Sequence, residues 1–230
     1  LFSALLSEGY TFMTVAGFLS HPVDKCVILR HDVDARPANS LKCAELEKKL
    51  GITGTYYFRA DPKSFDEVVI RGIHALGHEI GYHYEDLAVA HGDYDQAIGL
   101  FEQNLAKLRR LVPVETICMH GSPLSPYDNR KLWEKYDYRD FGITGEPYLD
   151  IDFREVLYLT DTGRRWDGGR YNVRDRVPGE SGPASRCPAP RPGPPPGGPR
   201  RGRPTAGRLR STPAGRGSRR RSRTWGRRCG

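Results

Sequence analysis

Residues 26–37 read CVILRHDVDARP, and the fold of the chain turns on what the first four of them are. Cys26 to Leu29 is a short apolar run, rich in β-branched residues, and suits a strand buried on both faces, as strands of a parallel sheet are. The residues after it are charged. His31, Asp32 and Asp34 stand at the C-terminal end of that strand, where charges cost free energy unless something pairs with them. In parallel α/β folds that end of the strands is the working face.

The same alternation recurs downstream. PANSLKCAELEKKLG (37–51) has Pro37 at its start, Leu41 and Leu50 along it and Gly51 to stop it, which predicts a helix. TGTYYFR (53–59) is aromatic and β-branched and predicts a second strand. SFDEVVIRGIHALG (64–77) predicts a helix with Ser64 as its N-cap and Gly77 at its end. HEIGYH (78–83) reads as a third strand. DYDQAIGLFEQNLAKLRRL (93–111) places Ala97, Phe101, Leu105 and Leu108 on one face of an amphipathic helix. ETICMH (115–120) predicts a fourth strand, DNRKLWEKY (128–136) a helix and REVLYLTDTG (154–163) another strand. Strand–helix alternation predicts the α/β class, with a parallel sheet closed as a barrel or doubly wound.

Charge divides the chain unevenly. Residues 178–230 hold fourteen Arg and one acid, Glu180, with eleven Pro and eleven Gly, whereas the preceding 177 residues carry a net charge of −5. Leu209 and Trp225 are the only large apolar residues of the tail. Too little apolar surface is available to offset the entropy of ordering, so a disordered tail is expected. Its residue types are those of G/C-rich codons, and the expectation is a frameshift product beginning near Val177. Residues 1–177 then form one domain. Cys26, Cys43 and Cys118 lie far apart with no CxxC, the pattern of reduced thiols in a cytoplasmic protein. No run is apolar enough to span a membrane, and no signal peptide is visible. The chain begins at Leu1 rather than Met, so a missing N-terminal segment is expected.

Polar residues collect at the predicted strand ends. The first strand delivers His31, Asp32 and Asp34; the second Arg59 and Asp61; the third His83, Glu85 and Asp86; the fourth His120, followed by Ser122; and the last Asp161. Asp32 and Asp34 are two apart and share a face in extended chain. Two close carboxylates repel unless a cation lies beside them. A divalent metal supplies that cation, with His83 as a further ligand, and one Asp left free to take a proton completes a hydrolytic pair. The plainer reading has Asp34 capping the next helix, Asp32 paired with Arg30 or Arg59, and His83 satisfied within the core. His31 alternates to the other face and is assigned to packing.

VILRHDVD, LGITGTYYFR and GHEIGYHYEDL together resemble the polysaccharide deacetylase family, the NodB-homology group of carbohydrate esterases, over roughly Lys25 to Asp175. The resemblance implies a distorted (β/α) barrel of about seven strands, incomplete at the C-terminus. It implies Asp32 as catalytic base, Asp34 and His83 as metal ligands, and a divalent ion, zinc first, with cobalt, nickel or manganese as other ions for such a site. It further implies removal of an acetyl group from an N- or O-acetylated sugar or polysaccharide. The chain departs from the family pattern. The second metal histidine, four residues after His83, is Leu87. His120 is the first candidate for the third ligand and for a catalytic acid, and Glu85 the second. No arginine occupies the family's usual place for orienting the base, unless Arg59 substitutes, and the late general-acid histidine falls beyond Val177. Arg59, Glu85 and Asp161 are left as substrate-binding candidates. Two other classes remain: a degenerate sugar- or nucleotide-sugar-binding protein, and nucleic-acid binding through the Arg-rich tail. The tail ranks last, because it lacks the Lys and interleaved aromatics of evolved binding segments.

Overall fold

The computed structural model of the chain describes residues 1–121 and 125–160. Cys26 to Leu29 is extended, but it is half-buried rather than buried on both faces, because it serves two sheets. Strand β1 (Thr11–Met13) pairs in parallel with β2 (Cys26–Ile28), while β3 (Arg30–Val33) opens a second parallel sheet of order β3-β4-β5-β6 with β4 (Thr55–Phe58), β5 (Glu79–Tyr84) and β6 (Ile117–Met119). Leu29 is the corner between them. Its N–H donates to the Met13 carbonyl at 3.2 Å and its carbonyl accepts from the Thr55 N–H at 2.8 Å.

Helix α1 (Phe2–Ser7) and α2 (Val15–Ser20) flank β1 in sequence. None of these three elements is expected from the strand and helix patterns, which begin at Cys26. Helix α3 (Pro37–Lys49) follows β3, α4 (Glu67–Ala75) follows β4, and α5 (Asp86–Val89) and α6 (Tyr94–Arg109) follow β5. Two 3-10 helices, Asn129–Glu134 and Tyr138–Phe141, and α7 (Pro147–Asp150) come after β6. Gly51 and Gly77 follow α3 and α4 with φ of 71° and 93°, the left-handed conformation that ends a helix. Ser64 is not the cap of α4. Asp66 is, accepting from the Val69 N–H at 3.1 Å, and Ser64 is spent inside, where it accepts from the Arg59 N–H and donates to the Val33 carbonyl.

Alternation along the strands sorts the sheet into two chemically different faces. Val33, Tyr56, Phe58, Ile80, Tyr82, Tyr84 and Ile117 are buried in one apolar cluster with Ala44 of α3, Val69, Ile70 and Ile73 of α4, and Ala97, Phe101, Leu105 and Leu108 of α6. Each large side chain buried this way contributes about 2 kcal/mol. The opposite face carries Arg30, Asp32, Thr55, Tyr57, Glu79, Gly81, His83 and Cys118. Gly81 is required there, because a Cβ would run into the Tyr57 ring. Near the start of the strands Glu79 is satisfied by Thr55, Thr116 and the Ala16 N–H.

The four-stranded sheet is strongly curled. A flat sheet would hold β3 and β6 about 14 Å apart. Yet ligand atoms of Asp32 on β3 and Cys118 on β6 both lie within 4.8 Å of a ligand atom of His83 and of each other. The expected ring of seven strands does not form among the described residues, which contribute six strands in two sheets. The predicted strand 154–163 also fails over its described part. Residues 154–160 form no strand with any described residue, and Leu157 and Leu159 are exposed. Asp161 and the Arg-rich tail lie outside the described residues. Among those described, no helix is long and apolar enough to cross a membrane.

Candidate metal centre

The curl has a chemical consequence at the C-terminal rim. Asp34 follows β3, His83 ends the polar face of β5, and His120 follows β6. His120 Nδ1 lies 3.1 Å from Asp34 Oδ1 and 3.2 Å from His83 Nε2, and the third side, His83 Nε2 to Asp34 Oδ1, is 3.6 Å. Three donors bound tetrahedrally to an ion at 2.0–2.1 Å stand about 3.3 Å from one another. The triangle therefore has the dimensions and the N, N, O chemistry of a group able to hold a metal ion.

The surroundings orient each donor. His83 is buried, and its Nδ1 lies 2.9 Å from the Cys118 carbonyl, which can only accept. That bond fixes the proton on Nδ1 and leaves the Nε2 lone pair facing Asp34 and His120. Burial holds the His83 imidazole below its ordinary value, so it is the neutral, ligating form that the fold favours. For Asp34 burial acts upward, but the His120 hydrogen bond and the nearby His83 and Arg59 outweigh it and hold the carboxyl below its usual range. His120 is held through its backbone. Its N–H donates to the Tyr84 carbonyl at 2.8 Å and its carbonyl accepts from Asn129 Nδ2 at 2.8 Å. Asn129 is buried and uses its other amide end to accept from the Ala88 N–H of α5. Asn129 escaped the sequence reading. A single Asn opening a predicted helix carries no local signal that a rim histidine depends on it.

Asp32 lies one step down the barrel-like face. Arg30 Nη2 donates to its Oδ2 at 3.1 Å, while Oδ1 is buried with no hydrogen-bond partner. Arg30, not Arg59, is thus the guanidinium on Asp32. The same nitrogen reaches the hydroxyls of Tyr148 at 3.0 Å and Tyr158 at 3.1 Å, and the group lies over both rings. The ion pair anticipated as the plainer reading of Asp32 exists, but it engages one oxygen only. The other, beside His83, is an orphaned buried acceptor of the kind that calls for a proton-bearing ligand.

Arg59 and Glu85 grip each other. Arg59 Nε and Nη2 lie 2.9 and 2.5 Å from Glu85 Oε1, and Nη2 is also 2.7 Å from Asp61 Oδ2. Glu85 is therefore not among the three converging donors; its Oε2 faces His120 Nε2 at 3.9 Å. Asp86 turns away from the rim and accepts from Tyr82 and Asn104. Leu87 is buried in the apolar cluster, so its position could not supply a ligand without repacking. His31 turns to the outer face, where it bonds Glu47 at 2.8 Å and stacks on Tyr56. No protein-family model, curated protein or solved structure matches the chain.

Proposed function

We propose that the protein is a metal-dependent hydrolase that removes an acetyl group from an N- or O-acetylated sugar. The observation that carries this reading is the Asp34–His83–His120 donor triangle with the unpartnered Asp32 Oδ1 beside it. A zinc-class ion held there would polarise an acyl oxygen and lower the pKa of a water. The chain's own residues supply the rest. Asp32 accepts a proton at Oδ1 while Arg30 holds Oδ2, His83 turns its Nε2 lone pair inward, and His120 gives up the Nδ1 proton it shares with Asp34 when that nitrogen ligates. Sugar as the substrate class is supported by the resemblance of HDVD and GHEIGYH to the polysaccharide deacetylase motifs.

The reading is tested by incubating the zinc-loaded full chain with N-acetylglucosamine oligomers and O-acetylated xylan and measuring released acetate. Asp32→Asn should retain the metal and lose acetate release. Release that persists undiminished in Asp32→Asn would contradict the assignment of the base, and absence of release from both substrate classes with the metal bound would contradict the substrate class.

A further inference from the structure

The two histidines of the triangle are not used in the same way. His83 turns Nε2 inward and His120 turns Nδ1 inward. For His83 the outward nitrogen meets the Cys118 carbonyl. For His120 the outward nitrogen faces Glu85 Oε2 at 3.9 Å, longer than a hydrogen bond, and the other Glu85 oxygen is claimed by Arg59. Arginine has donors and no acceptor. It therefore determines which end of residue 85 points at His120.

Resting on the metal-centre reading, we infer that Glu85 and Arg59 act together as positioning residues for His120, Arg59 holding Glu85 so that a carboxylate oxygen receives the His120 Nε2 proton when Nδ1 binds the ion. A neutral imidazole that gives its Nδ1 lone pair to a metal carries its proton on Nε2. An acceptor must face that proton, and such outer partners tune metal affinity by 10–100-fold. Arg59 and Glu85, which the rim pattern marks as substrate-binding candidates, are thereby given a different task.

Glu85→Gln has the same shape, so packing alone predicts little change. The donor inventory predicts otherwise. Arg59 takes the amide oxygen of the glutamine, because it has no use for the NH2, and the NH2 is left pointing at His120 Nε2. Donor then faces donor, and the imidazole is pushed toward the tautomer with its proton on Nδ1, the nitrogen the ion needs. Replacing Arg59 as well frees the amide to turn its oxygen toward His120.

Zinc affinity of the full chain, measured by competition with a chromophoric chelator, should fall about 10–100-fold in Glu85→Gln. It should recover at least in part in the double variant Arg59→Met with Glu85→Gln. Nitrogen-15 spectra of the zinc-loaded wild type should show His83 protonated on Nδ1 and His120 protonated on Nε2. Circular dichroism separates a folding defect from a positioning one. Should Glu85→Gln fold poorly, the wild-type spectra decide alone. Wild-type affinity in Glu85→Gln, a double variant weaker than the single one, or both histidines protonated on the same nitrogen would overturn this inference and leave the hydrolase reading standing. Failure of the wild type to bind zinc at all would overturn both.

Discussion

His120 Nδ1 lies 3.1 Å from Asp34 Oδ1, although the two residues follow the opposite edge strands of a four-stranded sheet. The curl of that sheet brings its edge strands' ends together. Tyr56, Phe58, Tyr82 and Tyr84 fill the convex side against the helices, and Tyr57 packs over Gly81 on the concave side among Arg30, Asp32 and His83.

Gly81 is the tightest point of that concave face. Gly81→Ala puts a Cβ against the Tyr57 ring and the Thr116 carbonyl. Overpacking of this kind costs about 1–3 kcal/mol, and more where backbone is in the way. Chemical denaturation should show that loss, accompanied by weaker metal binding because the strand carrying His83 is displaced.

Arg30→Gln should be costly twice over. It takes the guanidinium from the Asp32 carboxylate, and it removes the shared donor of two tyrosine hydroxyls. Breaking a largely buried pair from one side costs about 3 kcal/mol. Arg30→Lys keeps the charge and loses the planar fork, so it should recover part of the stability. Unfolding curves of the two variants side by side check the order.

Leu87→His places another imidazole four residues after His83, yet it should not strengthen metal binding. Leu87 is 2% exposed and packs in the apolar cluster. An imidazole there lacks a partner and costs about 2 kcal/mol or more. Zinc titration of Leu87→His should give wild-type or lower affinity, together with a lowered melting temperature.

Asp86 makes stability depend on pH. Burial raises its carboxyl to about 6, against which Asn104 and Tyr82 act only in part. In the unfolded chain the group titrates near 3.9. Below about pH 4 both states are protonated, so Asp86 brings no pH dependence. As pH rises from about 4 to 6 the unfolded state releases its proton first, and the wild type loses stability relative to Asp86→Asn. The difference approaches about 3 kcal/mol and is constant above pH 6. Denaturation of both proteins at pH 4 and pH 7 reads it directly; a difference that does not grow with pH would refute it.

Local pattern reported well on whatever is decided locally. Helices α3 and α4 have their glycine stops written in them, and α6 buries Ala97, Phe101, Leu105 and Leu108 as its spacing demands, whereas α3 buries Ala44 and Glu47 and leaves Leu50 exposed. The rim residues were legible because a parallel sheet sends its strand ends to one side. Tertiary choices were not legible. Nothing in CVIL tells that Leu29 bonds one sheet through its N–H and another through its carbonyl. Arg30 and Arg59 look interchangeable as partners for Asp32, and only the fold brings Tyr148 and Tyr158 around the former. VLYL has strand composition, but a strand needs a neighbour, and β propensity does not provide one. Asn129 holds His120 through backbone groups, an arrangement that side-chain identity does not announce.

On the proposed reading, Asp34, His83 and His120 hold one divalent ion together. Metal analysis of the purified full chain after zinc loading and desalting tests it most directly, with His120→Ala measured alongside. One equivalent of zinc in the wild type and a loss of at least a hundredfold in affinity in His120→Ala are expected. Substoichiometric zinc in the wild type, or one equivalent bound equally tightly in His120→Ala, would contradict it.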